Sequence, residues 1–153
     1  MWPRPESLGY SVYLTSFEQQ REELETLAGS GAAVFLSLHI SEEFSADYCR
    51  RAEEACRWLS ARDFRIIADV STKTVAQFGQ PDQIRLAERL GIWALRVDYG
   101  FSAEEIAGLA ARIPVVVNAS TTSPGDAGRI AAAGPLVMAM HNFYPRPETG
   151  LDD

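Results

Sequence analysis

Six short apolar runs, separated by stretches of helical periodicity, constrain this chain more than any other feature of its sequence. The spacing predicts strands over Leu8–Leu14, Ala33–His39, Arg65–Val70, Ala94–Tyr99, Pro114–Ala119 and Leu136–Asn142. Most of these runs are apolar at nearly every position and include Val, Ile, Phe and Tyr, as expected of parallel strands covered by helices. The intervening segments carry helix signals. One helix is expected over Phe17–Ala28, opened by Thr15-Ser16-Phe17-Glu18 read as a capping box. A second is expected over Ala46–Ala61, with Ala52, Ala55, Cys56 and Leu59 as its apolar stripe. A third covers Asp82–Leu90 and stops at Gly91. Ser102-Ala103-Glu104-Glu105 opens a fourth, and Ser123 with Pro124 in the first turn opens a fifth.

Strand–helix alternation of this kind implies a parallel sheet with right-handed crossovers. A doubly wound open sheet that binds nucleotides carries a glycine-rich turn after its first strand. Here that turn is Leu14-Thr15-Ser16-Phe17, without glycine. The expected fold class is therefore α/β: a partial TIM (βα)8 barrel of about six parallel strands with intervening helices, lacking the last two βα units. Its first and sixth strands are then open edges, a route to a homo-oligomer.

A chain of 153 residues is long enough for one domain with a substantial core. Lys and Arg number 14 against 21 Asp and Glu, a formal net charge of −7. That balance disfavours nucleic acid or an anionic membrane as the main partner, although a local arginine can still hold a phosphate. Met1-Trp2-Pro3-Arg4-Pro5-Glu6 has no secretory pattern, and no run is long enough to span a bilayer. Cys49 and Cys56 fall on one face of the second helix, about two turns apart, which is too far for a disulfide. They read as buried helix thiols and not as metal ligands; no metal or cofactor is expected, and a cytoplasmic location fits.

Function in parallel α/β folds gathers at the carboxyl ends of the strands. Those ends are polar here: Ser37-Leu38-His39, Asp69-Val70-Ser71, Arg96-Val97-Asp98-Tyr99, Asn118-Ala119-Ser120 and His141-Asn142-Phe143-Tyr144. Each has an ordinary explanation. His39 and His141 serve as satisfied structural histidines, Asp69 as a helix cap, Arg96 and Asp98 as a simple pair, and Asn118 as a loop anchor. Pro145 and Pro147 stiffen a connection that carries Arg146 and Glu148. Taken together the polar ends point to an active site. Asp69, Asp98 and Glu148 suit glycosidic cleavage, which wants flanking carboxyls. Arg96 and Arg146, with His39 or His141, suit a phosphate or carboxylate. Lys73, in Ser71-Thr72-Lys73-Thr74, reads as a solvated residue at a helix start.

The segments Leu8–Leu14, Ser37–Ile40, Ala68–Ser71, Leu95–Phe101, Asn118–Thr121 and His141–Leu151 occur in an order that resembles the 6-phospho-N-acetylmuramidase family. The last segment is the most specific, and Arg96-Val97-Asp98-Tyr99-Gly100-Phe101 is the next. The resemblance implies a TIM barrel followed by a cyclophilin-like domain. Residues 1–153 are then the N-terminal part of the barrel domain, and the C-terminal cyclophilin-like domain is absent. It implies hydrolysis of the β-1,4 bond between N-acetylmuramic acid 6-phosphate and N-acetylglucosamine in cell-wall sugar recycling.

On position, Asp98 and Glu148 lead as catalytic carboxylates and Asp69 is third. His39, Arg96, Asn118, His141, Asn142, Tyr144 and Arg146 form the substrate-binding set. Two alternatives remain at this point. One is a sugar-phosphate isomerase or epimerase using His141 and Asp98. The other is a truncated fragment that binds a sugar or a partner and turns nothing over.

Overall fold

The computed structural model describes residues 9–38, 46–97, 101–117 and 124–139. Among them lie six strands: β1 (Gly9–Tyr13), β2 (Ala33–Ser37), β3 (Arg65–Asp69), β4 (Ala94–Val97), β5 (Val115–Val117) and β6 (Leu136–Ala139). The helices are α1 (Phe17–Glu25), α2 (Ala46–Ser60), α3 (Thr72–Gln77), α4 (Gln83–Leu90), α5 (Ala103–Ala110) and α6 (Pro124–Ala133). All neighbouring strands pair in parallel, in the spatial order β1-β2-β3-β4-β5-β6. That order decides between the two architectures. A doubly wound sheet reverses direction midway, whereas a chain that always steps the same way with right-handed crossovers places every helix on one face. The result is the wall of a partial (βα)8 barrel.

Side-chain burial separates the two faces. Val12, Val34, Leu36, Ile66, Ala68, Leu95, Val97, Val115 and Val117 join the main core with the helices. The alternate positions Ile67, Ala94 and Val116 form a second cluster, with Ala33, Phe35 and Trp93 packed on it. Successive strand residues point to opposite faces, so the second cluster is the inner, barrel-axis face. Near its amino-terminal end, Arg65 donates Nε–H to the Gly31 carbonyl at 2.9 Å and lies 4.8 Å from the Trp93 ring centroid. A Cβ on Gly9 would stand 2.5 Å from Cε2 of Phe35, so the edge of that ring occupies the space a side chain would take and would have to shift.

Several expectations hold and some do not. Gly91 takes the left-handed cap of α4 at φ 68, and Asp82 caps its start by accepting the Arg85 N–H at 2.8 Å. Ser102 and Glu105 form the expected capping box on α5. The box expected at Thr15–Glu18 does not form: Leu14–Ser16 is a short 3-10 turn, and α1 begins without a side-chain cap. Gln20 ties the first turn of α1 back to β1, accepting the Tyr13 N–H at 3.2 Å and donating to the Ser11 carbonyl at 3.1 Å. Glu18 turns instead to Arg21 at 2.9 Å. A helix start was expected at Lys73, without a helix range, and α3 is that helix. Its Ser71-x-x-Thr74 start uses threonine where the usual capping box has Glu or Gln.

Both cysteines are free, Cys56 buried and Cys49 half-buried, and burial pushes the Cys56 thiol from 9.0 up to about 12. An unfolded chain would release that proton from about pH 9 while the folded chain keeps it. Stability contributed by this group is thus intact below pH 9 and falls as pH rises towards 12. Urea midpoints measured from pH 7 to 11 are expected to be flat and then to decline above 9, and Cys56→Ala should weaken the decline. Midpoints independent of pH across that range would contradict the burial of this thiol. Among the described residues no helix is long and apolar enough to cross a membrane, and no group of three or more His, Cys, Asp or Glu is placed to hold a metal.

Candidate active site

Strand register builds the site. At the carboxyl end of the inner face, Tyr13 of β1 faces Ser37 of β2, Ser37 faces Asp69 of β3, and Asp69 faces Arg96 of β4. Val116 of β5 follows Arg96 in the same row. Asp69 lies two residues beyond Ile67, and Arg96 two beyond Ala94, so both share the inner face with that cluster. An aromatic ring, a hydroxyl, a carboxylate and a guanidinium thus stand side by side on one rim. Tyr13 is 55% exposed and is the one large hydrophobic residue so exposed among those described.

Asp69 is not the helix cap that one ordinary reading made it. Ser71 caps α3, accepting the Thr74 N–H at 3.1 Å, while Asp69 reaches back to β2. One of its oxygens accepts the Leu38 N–H at 2.8 Å, and the other lies 3.5 Å from the Ser37 hydroxyl. The Leu38 carbonyl is held as well, by the hydroxyl of fully buried Thr74 at 3.2 Å. Both backbone polar groups of Leu38 are therefore held, one in each of its two flanking peptide units. Tyr48 on α2 lies near this cluster. Its burial, and next the negative charge of Asp69, push its hydroxyl up to about 12, so the group is a neutral phenol at neutral pH.

Of the residues expected from sequence, the structure brings together Asp69 and Arg96 as neighbours on the inner face. Asp98, Glu148, His39, Asn118, His141, Asn142, Tyr144 and Arg146 lie outside the described residues. Sequence reasoning missed Tyr13 and Thr74. A tyrosine at a strand end was a visible signal for the first. For the second there was none, because its partner Leu38 is 36 residues away in the chain. Lys73 is exposed at the start of α3, as expected.

The description "6-phospho-N-acetylmuramidase, N-terminal" matches residues 8–153, nearly the whole chain. The chain belongs to that family. Among solved structures it is similar to a conserved protein of unknown function from Enterococcus faecalis, at 28% identity and a TM-score of 0.65. That match covers 94% of this chain and 41% of the other, so the chain spans well under half of its relative's length. FabK from Thermotoga maritima is similar at 14% identity and a TM-score of 0.54, covering 87% of this chain and 40% of that one. A Schiff-base-forming fructose-1,6-bisphosphate aldolase is similar at 18% identity and a TM-score of 0.50, covering 76% and 53%. These last two carry the fold alone, and both fit a partial TIM barrel. No curated protein matches the chain significantly. For this family the polar rim stands where a barrel of this kind places its chemistry.

Proposed function

We propose that this chain forms the substrate-binding inner wall, and part of the catalytic apparatus, of a glycoside hydrolase. Its substrate is the β-1,4-linked disaccharide of N-acetylmuramic acid 6-phosphate and N-acetylglucosamine, met in cytoplasmic recycling of cell-wall sugars. The observation that carries this reading is the family match over residues 8–153. The row of Tyr13, Ser37, Asp69 and Arg96 at the carboxyl end of the inner face supports it.

The roles follow from chemistry. Cleavage needs one carboxylic acid to protonate the bridging oxygen. It also needs a second carboxylate to activate water, to attack the anomeric carbon or to orient the substrate's own acetamido group. Asp98 and Glu148 take these roles. Asp69, with one oxygen committed to the Leu38 N–H, takes the orienting role among the three carboxylates. Arg96 and Arg146, with His39 and His141, hold the phosphate or the lactyl carboxylate. Asn118 and Asn142 read hydroxyl and amide groups, while Tyr13 and Tyr144 supply aromatic surface.

The test is product analysis. The protein is incubated with the phosphorylated disaccharide, with a full-length family member alongside. Release of both monosaccharides by the family member supports the reading. Interconversion of a phosphorylated monosaccharide, with the disaccharide left intact, would replace it with isomerase or epimerase chemistry. Release by the family member and none by this chain would assign the chain to binding alone.

A further inference from the structure

Thr74 Oγ1 donates to the Leu38 carbonyl at 3.2 Å and accepts the Ser71 N–H at 3.2 Å. With that proton on the Leu38 carbonyl, Ser71 is the donor in the 2.9 Å contact between the two hydroxyls. Ser71 Oγ accepts in turn from the Thr74 N–H at 3.1 Å. The α3 cap is complete within residues 71–74 and does not need the bond to Leu38. That extra bond crosses from α3 to the end of β2, onto the residue whose N–H the Asp69 carboxylate accepts.

We propose that Thr74, on α3 and outside the inner face, is a positioning residue for the rim: by anchoring the Leu38 backbone through its carbonyl it holds Leu38's N–H, and with it Asp69, in line with Ser37 and Arg96, and so sets affinity for the phosphorylated amino sugar. This rests on the function proposed above. A hydroxyl on a fully buried side chain is needed here, because the Leu38 carbonyl has no water to turn to. Serine keeps that hydroxyl, and valine keeps only the shape.

The experiment titrates N-acetylmuramic acid 6-phosphate into the whole chain by calorimetry, well below each variant's unfolding temperature. Thr74→Val is expected to weaken binding about tenfold, and Thr74→Ser to bind within about twofold of the parent. Ser71→Ala separates positioning from stability. It removes the α3 cap and lowers the melting temperature, yet leaves the Leu38 bond, so its affinity should stay near the parent's. Thr74→Val binding like the parent, or Ser71→Ala losing affinity as Thr74→Val does, would overturn the positioning role. Should Thr74→Val fail to fold, Thr74→Cys carries the test, since a thiol is a weaker donor to the same carbonyl. Weaker binding than Thr74→Ser then supports the role, and equal binding overturns it. A parent chain and a full-length family member that both fail to bind the sugar phosphate would overturn the functional reading itself, a separate outcome.

Discussion

Replacing Gly134 by alanine is expected to destabilise the fold by about 3 kcal/mol, the upper end of what overpacking usually costs. Gly134 follows α6, and its N–H closes the helix on the Ile130 carbonyl at 3.2 Å. A Cβ built there falls inside the contact distance of the Ala110 carbonyl oxygen at the end of α5, and close to the Ala111 amide nitrogen as well. Backbone cannot rotate aside as a side-chain tip does, so α5 and α6 must separate. Gly108 in α5 and Gly128 in α6 are the controls, since a Cβ on either meets nothing within 4 Å. Alanine at those two positions should stabilise by about 0.5–1 kcal/mol, because glycine is a poor helix former. Urea unfolding of the three variants checks this. Equal stability for Gly134→Ala and the parent would mean that the two helices do not approach as described.

Replacing Asp98 by asparagine is expected to lower hydrolysis by about 10³-fold while leaving the fold intact, within the range seen when a positioned acid or base is lost. The residue follows Val97, the last of β4, two positions beyond Arg96. Asparagine has nearly the shape of aspartate, so packing is preserved, but it neither holds nor passes a proton at neutral pH. The measurement is release of N-acetylglucosamine from the phosphorylated disaccharide, made in a full-length family member at the corresponding aspartate. A variant that kept near-normal turnover, with an unchanged unfolding midpoint, would remove Asp98 from the chemistry.

The sequence made much of this architecture legible, for physical reasons that differ element by element. Strands covered on both faces are apolar through their middles, so β2, β3 and β5 stood out as runs of Val, Ile, Ala, Leu and Phe. Helices with local stop and start signals were equally plain, as Gly91 and Ser102 show. What failed depended on competition or distance. At the start of α1 the capping box gave way to a 3-10 turn, and Glu18 paired with Arg21 instead. Helix α3 is six residues long, too short for periodicity to show.

The site divides the same way. Polar strand ends singled out Asp69 and Arg96, but that they are neighbours follows from the register between β3 and β4, which no local pattern encodes. Nor could spacing show that Asp69 turns back to Leu38 instead of capping α3. Tyr13 joined the row only when β1 was seen to place it opposite Ser37.

Under the proposed function, the carboxyl end of the inner face binds the phosphorylated amino sugar. Titrating N-acetylmuramic acid 6-phosphate into ¹⁵N-labelled protein and following each backbone amide tests it most directly. Saturable shifts are expected at Tyr13, Ser37, Leu38, Asp69 and Arg96, with the amino-terminal end of the same face, Ala33 and Arg65, unmoved. Shifts centred at that opposite end, or none at all in the rim, would contradict it.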